Sequence, residues 1–188
     1  EEFDKNPVLN RFEHQLKFSG LVTANTMKPN FTWATTNIDS IKNEFNLTEY
    51  IVLFPFCSAH LIQKKWPHYN ELINLIKNKY NDQLKVVVAP GPSEIKEAKL
   101  INAISILDNN KALDISQLSS LIKDSSFVVA NDTGPAHMAA HLNVKGLSLF
   151  GKHTTAFKVS IERDNFKAIE VDDLSKLSAS KVLEKILI

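Results

Sequence analysis

Five short apolar runs recur along most of this chain, at residues 51–54, 84–89, 126–130, 144–150 and 167–171. Each is four to seven residues long and rich in Val, Ile, Leu or Phe. Runs of this length, closed by polar or Gly/Pro turns, are what strands buried on both faces require. Amphipathic stretches lie between them. Leu72, Ile73, Leu75, Ile76 and Tyr80 follow Pro67 at helical spacing. Ile95, Ala98, Leu100, Ile101 and Ile104 follow Ser93, a candidate cap. Leu118, Leu121 and Ile122 follow Ser116, residues 135–142 form another helical run, and residues 178–187 a last one. Strict alternation of strand and helix predicts an α/β fold, a Rossmann-like doubly wound parallel sheet with helices on both faces.

Such a sheet binds ligands beyond the carboxyl ends of its strands. Three loops are expected there, residues 55–66, 89–93 and 131–134. The last is the most informative. The apolar strand ending at Ala130 stops at Asn131-Asp132-Thr133-Gly134, and Pro135 opens the next helix. Proline suits the first helical turn, where its missing N–H costs nothing. Gly134 permits either an unusual backbone angle or close approach of a ligand. Free amides and the positive end of the helix dipole then face the solvent, an arrangement that favours phosphate.

The first 49 residues read differently. Asn6-Pro7 caps a helix carrying Val8, Leu9, Phe12 and Leu16 and ending near Gly20. Residues 28–36 read as extended, and residues 37–45 as a second helix. The apolar face of this stretch is too small to bury alone, so residues 1–49 are expected to be a connector or arm and residues 50–188 the ligand-binding domain. At 188 residues the chain holds one sizeable core. Its net charge of +1 gives no nucleic-acid footprint. Cys57 is the sole cysteine, which excludes an internal disulfide and suits a reducing compartment. No run has the length of a membrane span and no signal-peptide pattern is present. The sequence opens on Glu1 rather than Met, the expected sign of a piece of a longer protein.

Each candidate residue also has a plain structural reading. Asp132 or Thr133 could serve only to cap the following helix. His137 could be a satisfied, half-buried histidine, and His141 one turn on suggests a metal pair, but no third ligand lies nearby in sequence. Lys64 and Lys65 precede a helix, where a cation is unfavourable unless an anion joins it. Trp66 reads as a core anchor. Glu94 could be a favourable first-turn acid. Cys57 has no evident base beside it and reads as an inert thiol. Lys152 and His153 could meet a ligand or lie on a surface loop. The five glycines lack G-x-G-x-x-G spacing, so a hydride-transferring dinucleotide enzyme is set aside.

Several segments taken together resemble glycosyltransferase family 9, the family of the ADP-heptose:lipopolysaccharide heptosyltransferases. They are Phe54-Pro55 with Ser58, Lys64-Lys65-Trp66-Pro67, Ala89-Pro90-Gly91 with Glu94, residues 132–140 (D-T-G-P-A-H-M-A-A) and Leu149-Phe150-Gly151. The K-x-W-P and D-T-G-x-x-H-x-A-A elements in this order are the specific part. The resemblance implies the C-terminal, donor-binding half of a GT-B fold, covering residues 50–151 well. It implies that Asp132, Thr133 and Gly134 hold the donor diphosphate, with His137 facing the same cleft. Lys64 and the Ser58 hydroxyl would reach phosphate, Glu94 the ribose hydroxyls, and Leu113 would pack on adenine. Two stretches depart from the family pattern, Ala59-His60 and Lys152-His153-Thr154-Thr155, and both bear on which sugar is carried.

The resemblance thus implies an inverting glycosyltransferase using a nucleoside-diphosphate sugar, ADP-heptose, for transfer to the lipopolysaccharide inner core. No cofactor or metal is expected. The catalytic base is expected in an N-terminal domain outside this chain, which would also meet the lipid A core acceptor. A cytoplasmic location at the inner face of the bacterial inner membrane follows, with peripheral membrane association and no nucleic-acid partner. Two alternatives stand beside it, a non-catalytic nucleotide-binding module and a family member using a different sugar donor.

Overall fold

The computed structural model describes residues 3–58, 60–81 and 83–186. Chain order is α1 (Val8–Phe18), α2 (Asp39–Glu44), β1 (Tyr50–Phe54), α3 (Tyr69–Tyr80), β2 (Lys85–Val88), α4 (Ile95–Ala98), β3 (Ile104–Ser105), α5 (Ile115–Lys123), β4 (Phe127–Asn131), α6 (Gly134–His141), β5 (Gly146–Phe150), α7 (Ala156–Val159), β6 (Phe166–Glu170) and α8 (Ala179–Leu183). The strands form one six-stranded sheet, ordered β3-β2-β1-β4-β5-β6, and every pairing is parallel. The order reverses between β1 and β4, so the loops after these two strands splay apart and leave a crevice.

Both faces of the sheet are covered. Tyr50, Val52 and Phe54 of β1 point to one face, where they meet residues of α2, α5, α6 and α7. Ile51 and Leu53 point to the other, against α3 and α8. This is why β1 and β4 lack any polar alternation: all five residues of each are buried. The arm contributes to the first face. Ala34, Ile38, Ile41 and Leu47 are buried, and Ser120 Oγ joins the two parts by donating to Thr36 O at 2.6 Å. Gly146 is required by packing. A Cβ there would lie 2.6 Å from the Phe166 ring and 2.8 Å from Val128 O.

The structure differs from sequence expectation mainly at element ends. The helix expected from Ser93 to Ile104 is only the single turn of α4, and Ile104–Ser105 instead forms β3 beside β2. Asn70 of α3 explains the break. Its amide donates to Leu100 O and accepts from Asn102 N, both at 2.9 Å, holding that stretch open. The helix expected to begin at Ser116 begins one residue earlier, at Ile115, and Asp114 caps it through a capping box with Gln117. The α3 helix begins two residues after Pro67, and Asn6 makes no cap on α1. A 3₁₀ turn at Thr32–Ala34 interrupts the stretch expected to be extended. Ser178 does cap α8. Ala59, Leu187 and Ile188, on which parts of the expectation fall, lie outside the described residues. Among the described residues no helix is long and apolar enough to cross a membrane.

Candidate functional site

The crevice between β1 and β4 is built around Asn131, a fully buried polar residue at the end of β4. Its Oδ1 accepts from Trp66 N and from the Tyr69 hydroxyl, each at 3.2 Å, and its Nδ2 donates to Pro55 O at 2.9 Å. One amide side chain therefore fastens both ends of the 55–66 loop to the β4 turn. Trp66 is the second fastening. It is buried, its indole N–H donates to Leu177 O at 2.8 Å, and its ring meets Tyr69 edge-on at 4.9 Å.

Asp132 follows directly and lies at the centre of a charged cluster. Its side chain is 4% exposed. Lys64 Nζ donates to Oδ2 at 2.6 Å, His153 Nε2 lies 3.2 Å from the same oxygen, and His137 Nε2 lies 3.8 Å from Oδ1. Asp132 does not cap α6. Thr133 occupies the cap position without a side-chain cap bond, its hydroxyl instead donating to Asn131 O at 3.3 Å. Ala136 N and His137 N both turn back to Thr133 O. Among the described residues the amides of Thr133 and Gly134 have no protein acceptor. Gly134 has ordinary φ and nothing within 4 Å of a notional Cβ. Of its two readings, open approach is the one its geometry fits.

Two adjoining cavities open onto this turn. One, of about 240 Å³, is walled by Phe54, Phe56, Pro90, Leu113 and Leu118 and closed by Gly91, Glu94, Thr133 and Pro135. The other, of about 330 Å³, is bounded by Cys57, Ser58, Lys64, Asp132, Thr133 and Gly134. Glu94, Thr133 and Pro135 belong to both. The structure thus gathers Ser58, Lys64, Glu94, Asp132, Thr133 and Gly134 around one charged cavity, puts Leu113 in the apolar one, and sets His137 behind Asp132. Glu94 has a structural duty as well, since its Oε2 accepts from Gly91 N at 2.8 Å and fixes the turn after β2. The two adjacent lysines part company. Lys64 goes to Asp132, whereas Lys65 pairs with Glu97.

Sequence reasoning did not single out Asn131 or Phe56, and left His153 undecided. Asn131 carried a usable signal, a carboxamide at the end of an otherwise apolar strand. His153 had none, because it lies 21 residues beyond Asp132, on the loop after β5. It is nearly buried and stacks on Phe150 at 6.1 Å. A carboxylate only accepts, so Nε2 carries the proton of that bond. Cys57 is a donor to Leu61 O at 3.4 Å, and burial raises its pKa, as an inert thiol requires. Among the described residues no group of three or more His, Cys, Asp or Glu has a geometry that could hold a metal ion.

Burial opposes ionisation of Asp132, but the nearby His137, the bonds from Lys64 and His153 and the charge of Lys64 outweigh it. Together they hold the carboxyl well below the usual aspartate range. His141, one turn along α6, is pushed down to about 4 by burial first, then by the charges of Arg163 and His137. The two groups give separate acid limbs. The folded state disfavours charged His141, so stability present above 6.5 is lost as pH falls from there to about 4. It favours ionised Asp132, so that contribution is complete above 3.8 and is lost only below it. In urea titrations at about pH 7, 4 and 2, His141→Gln should flatten mainly the first limb and Asp132→Asn mainly the second. Equal flattening of both limbs by either variant would contradict this separation.

The fold and this crevice together define a class, the Rossmann-like half of a GT-B fold. A likeness to solved structures agrees with it. The chain aligns with the glycosyl transferase family 9 structure from Veillonella parvula at 15% identity and TM-score 0.72, covering 96% of this chain and 59% of that one. It aligns with the E. coli heptosyltransferase WaaC with ADP at 22% identity and TM-score 0.66, covering 93% and 53%. For E. coli ADP-heptose lps heptosyltransferase II the values are 19%, 0.63, 88% and 51%. The chain thus spans little more than half the length of each. None of the curated proteins matches it. The chain belongs to glycosyltransferase family 9 (heptosyltransferase), whose family model matches residues 11–184.

Proposed function

We infer that this chain is the donor-binding half of an inverting glycosyltransferase that uses a nucleoside-diphosphate sugar, ADP-heptose, as its substrate. The observation that carries this reading is the joining of Lys64 to the free amides of Thr133 and Gly134 across one cavity, beside an apolar slot of nucleoside size. In that reading the base lies between Leu113 and Phe56, Glu94 meets the ribose, and the diphosphate sits on the amides of the α6 turn. Ser58 supplies a further donor. The connector is residues 1–49 and the donor domain residues 50–188.

The reaction follows from these charges. An acceptor hydroxyl attacks the anomeric carbon, the bond from that carbon to the phosphate oxygen breaks, and the nucleoside diphosphate leaves. Negative charge grows on the departing phosphate. Lys64 and the turn amides stabilise it there, already fixed in place before reaction. Lys64 is held by Asp132 until a phosphate arrives, so the ammonium is positioned without an ordering cost at the moment of binding. The hydroxyl's proton goes to a base outside residues 1–188. The acceptor is the lipopolysaccharide inner core, met by the N-terminal half of the full-length protein at the cytoplasmic face of the inner membrane.

A calorimetric panel of ADP, UDP, GDP and CDP tests the assignment. ADP should bind most tightly, by about tenfold over the pyrimidine nucleotides. Absence of binding by all four would remove the donor-site reading.

A further inference from the structure

Asp132 sits among one permanent cation and two rings that can become cations. Lys64 Nζ donates to its Oδ2 at 2.6 Å, and His153 Nε2 lies 3.2 Å from that same oxygen. His137 Nε2 faces the other oxygen, Oδ1, at 3.8 Å, beyond hydrogen-bond reach. The carboxylate is nearly buried, so water compensates it little once the ammonium departs. Departure is part of the nucleotide reading above, in which Lys64 turns from Asp132 to a phosphate. The oxygen it leaves is the one that His153 already touches. The two histidines are not equivalent in this place. The His153 side chain is 9% exposed and that of His137 33%, so solvent screens His137 more. His137 also has His141 on its own helix at 6.3 Å, and the Arg163 charge acts on His141. These neighbours oppose a further positive charge on His137.

Nε2 of His153 already carries the proton of its bond to Asp132, so an added proton goes to Nδ1. That atom is buried and has no hydrogen-bond partner among the described residues. An N–H there is costly unless the charge it brings is strongly favoured. Phe150 supplies part of that, since its ring stacks on His153 at 6.1 Å with planes at 17°, and a ring face attracts a cation. The remaining charged groups along the same cavity wall are Lys65, Lys152, Asp172 and Asp173. They are two of each sign, and Lys65 is held by Glu97. The charge on His153 is therefore governed by Asp132 and by whatever cation Asp132 holds. We propose that His153 links nucleotide binding to proton uptake: as Lys64 passes to the phosphate, Nδ1 takes a proton from solvent, and the imidazolium replaces the ammonium as the cation of Asp132. This rests on the donor-site reading above. Without the replacement, a buried carboxylate would stand uncompensated beside a diphosphate. With it, the complex binds more protons than the free protein, so the share of affinity that His153 supplies weakens as pH rises.

The test is calorimetry of ADP binding at about pH 7 in two buffers of different ionisation enthalpy, on wild type, His153→Asn and His137→Asn. Asparagine keeps a donor for Asp132 but takes no proton. Comparing wild type with each variant cancels the protons exchanged by ADP itself. Wild type should take up about half a proton more per ADP than His153→Asn, and His137→Asn should match wild type. From about pH 6 to pH 8 the ratio of wild-type to His153→Asn affinity should fall about fivefold. The ¹⁵N spectrum of wild type needs no variant and should show His153 Nδ1 gaining a proton when ADP is added. The linkage is overturned if ADP binds and wild type and His153→Asn exchange equal numbers of protons, if the uptake is lost in His137→Asn instead, or if His153 gains no proton in the spectrum. Failure of ADP to bind wild type overturns the donor-site reading instead, and the linkage with it.

Discussion

Lys64→Ala should weaken ADP binding about a hundredfold, the loss of about 2–3 kcal/mol expected when a charge-assisted bond to phosphate disappears. A second effect adds to it. Without the ammonium, the Asp132 carboxylate keeps only His137 and His153 and turns uncompensated charge toward the cavity. The variant should also be less stable, by about 1–2 kcal/mol, since a nearly buried carboxylate loses its nearest cation. The double variant Lys64→Ala/Asp132→Asn separates the two consequences. It should recover stability, because the buried charge is gone, yet leave binding impaired, because the phosphate still lacks its cation. Calorimetry with parallel urea titrations reads both. An ADP affinity within twofold of wild type for Lys64→Ala would show that the lysine serves Asp132 alone.

Asn131→Leu should destabilise the protein by about 3–5 kcal/mol. Leucine matches the volume but leaves Trp66 N and Pro55 O buried without partners. The Tyr69 hydroxyl keeps only Phe54 O, at 3.2 Å. The expected fall in melting temperature is about 10 °C for a domain of this size. Binding should suffer too, because Asn131 is what positions the 55–66 loop that carries Lys64. A loss below about 1 kcal/mol would mean that Trp66 anchors the loop unaided.

Strands were the legible part of this fold. β1 and β4 are buried on both faces along their whole length, so their sequences are almost entirely apolar and stand out. The two-residue β3 was missed because Ile104 and Ser105 share a run with Ile95, Ala98 and Ile101 that fits helical spacing equally well. What divides them is Asn70, on α3 and more than thirty residues away along the chain. The start of α5 lies one residue before Ser116 for a related reason, since its cap Asp114 declares itself only through the capping box with Gln117.

Among the site residues, the turn at 132–134 and the lysine before Trp66-Pro67 were visible as local patterns of residue type. Their partners were not. The sequence alone established the strand–helix alternation, the free helix N-terminus after Gly134 and the resemblance in residues 50–151, because all three are written in local spacing. Only the tertiary structure decided that Lys64 rather than Lys65 meets Asp132, and that His153 reaches the same carboxylate from the loop after β5. These contacts join residues 21 to 68 positions apart. Charge and hydrogen bonding act over a few ångströms of space, and the sheet, not the chain order, brings those groups within reach.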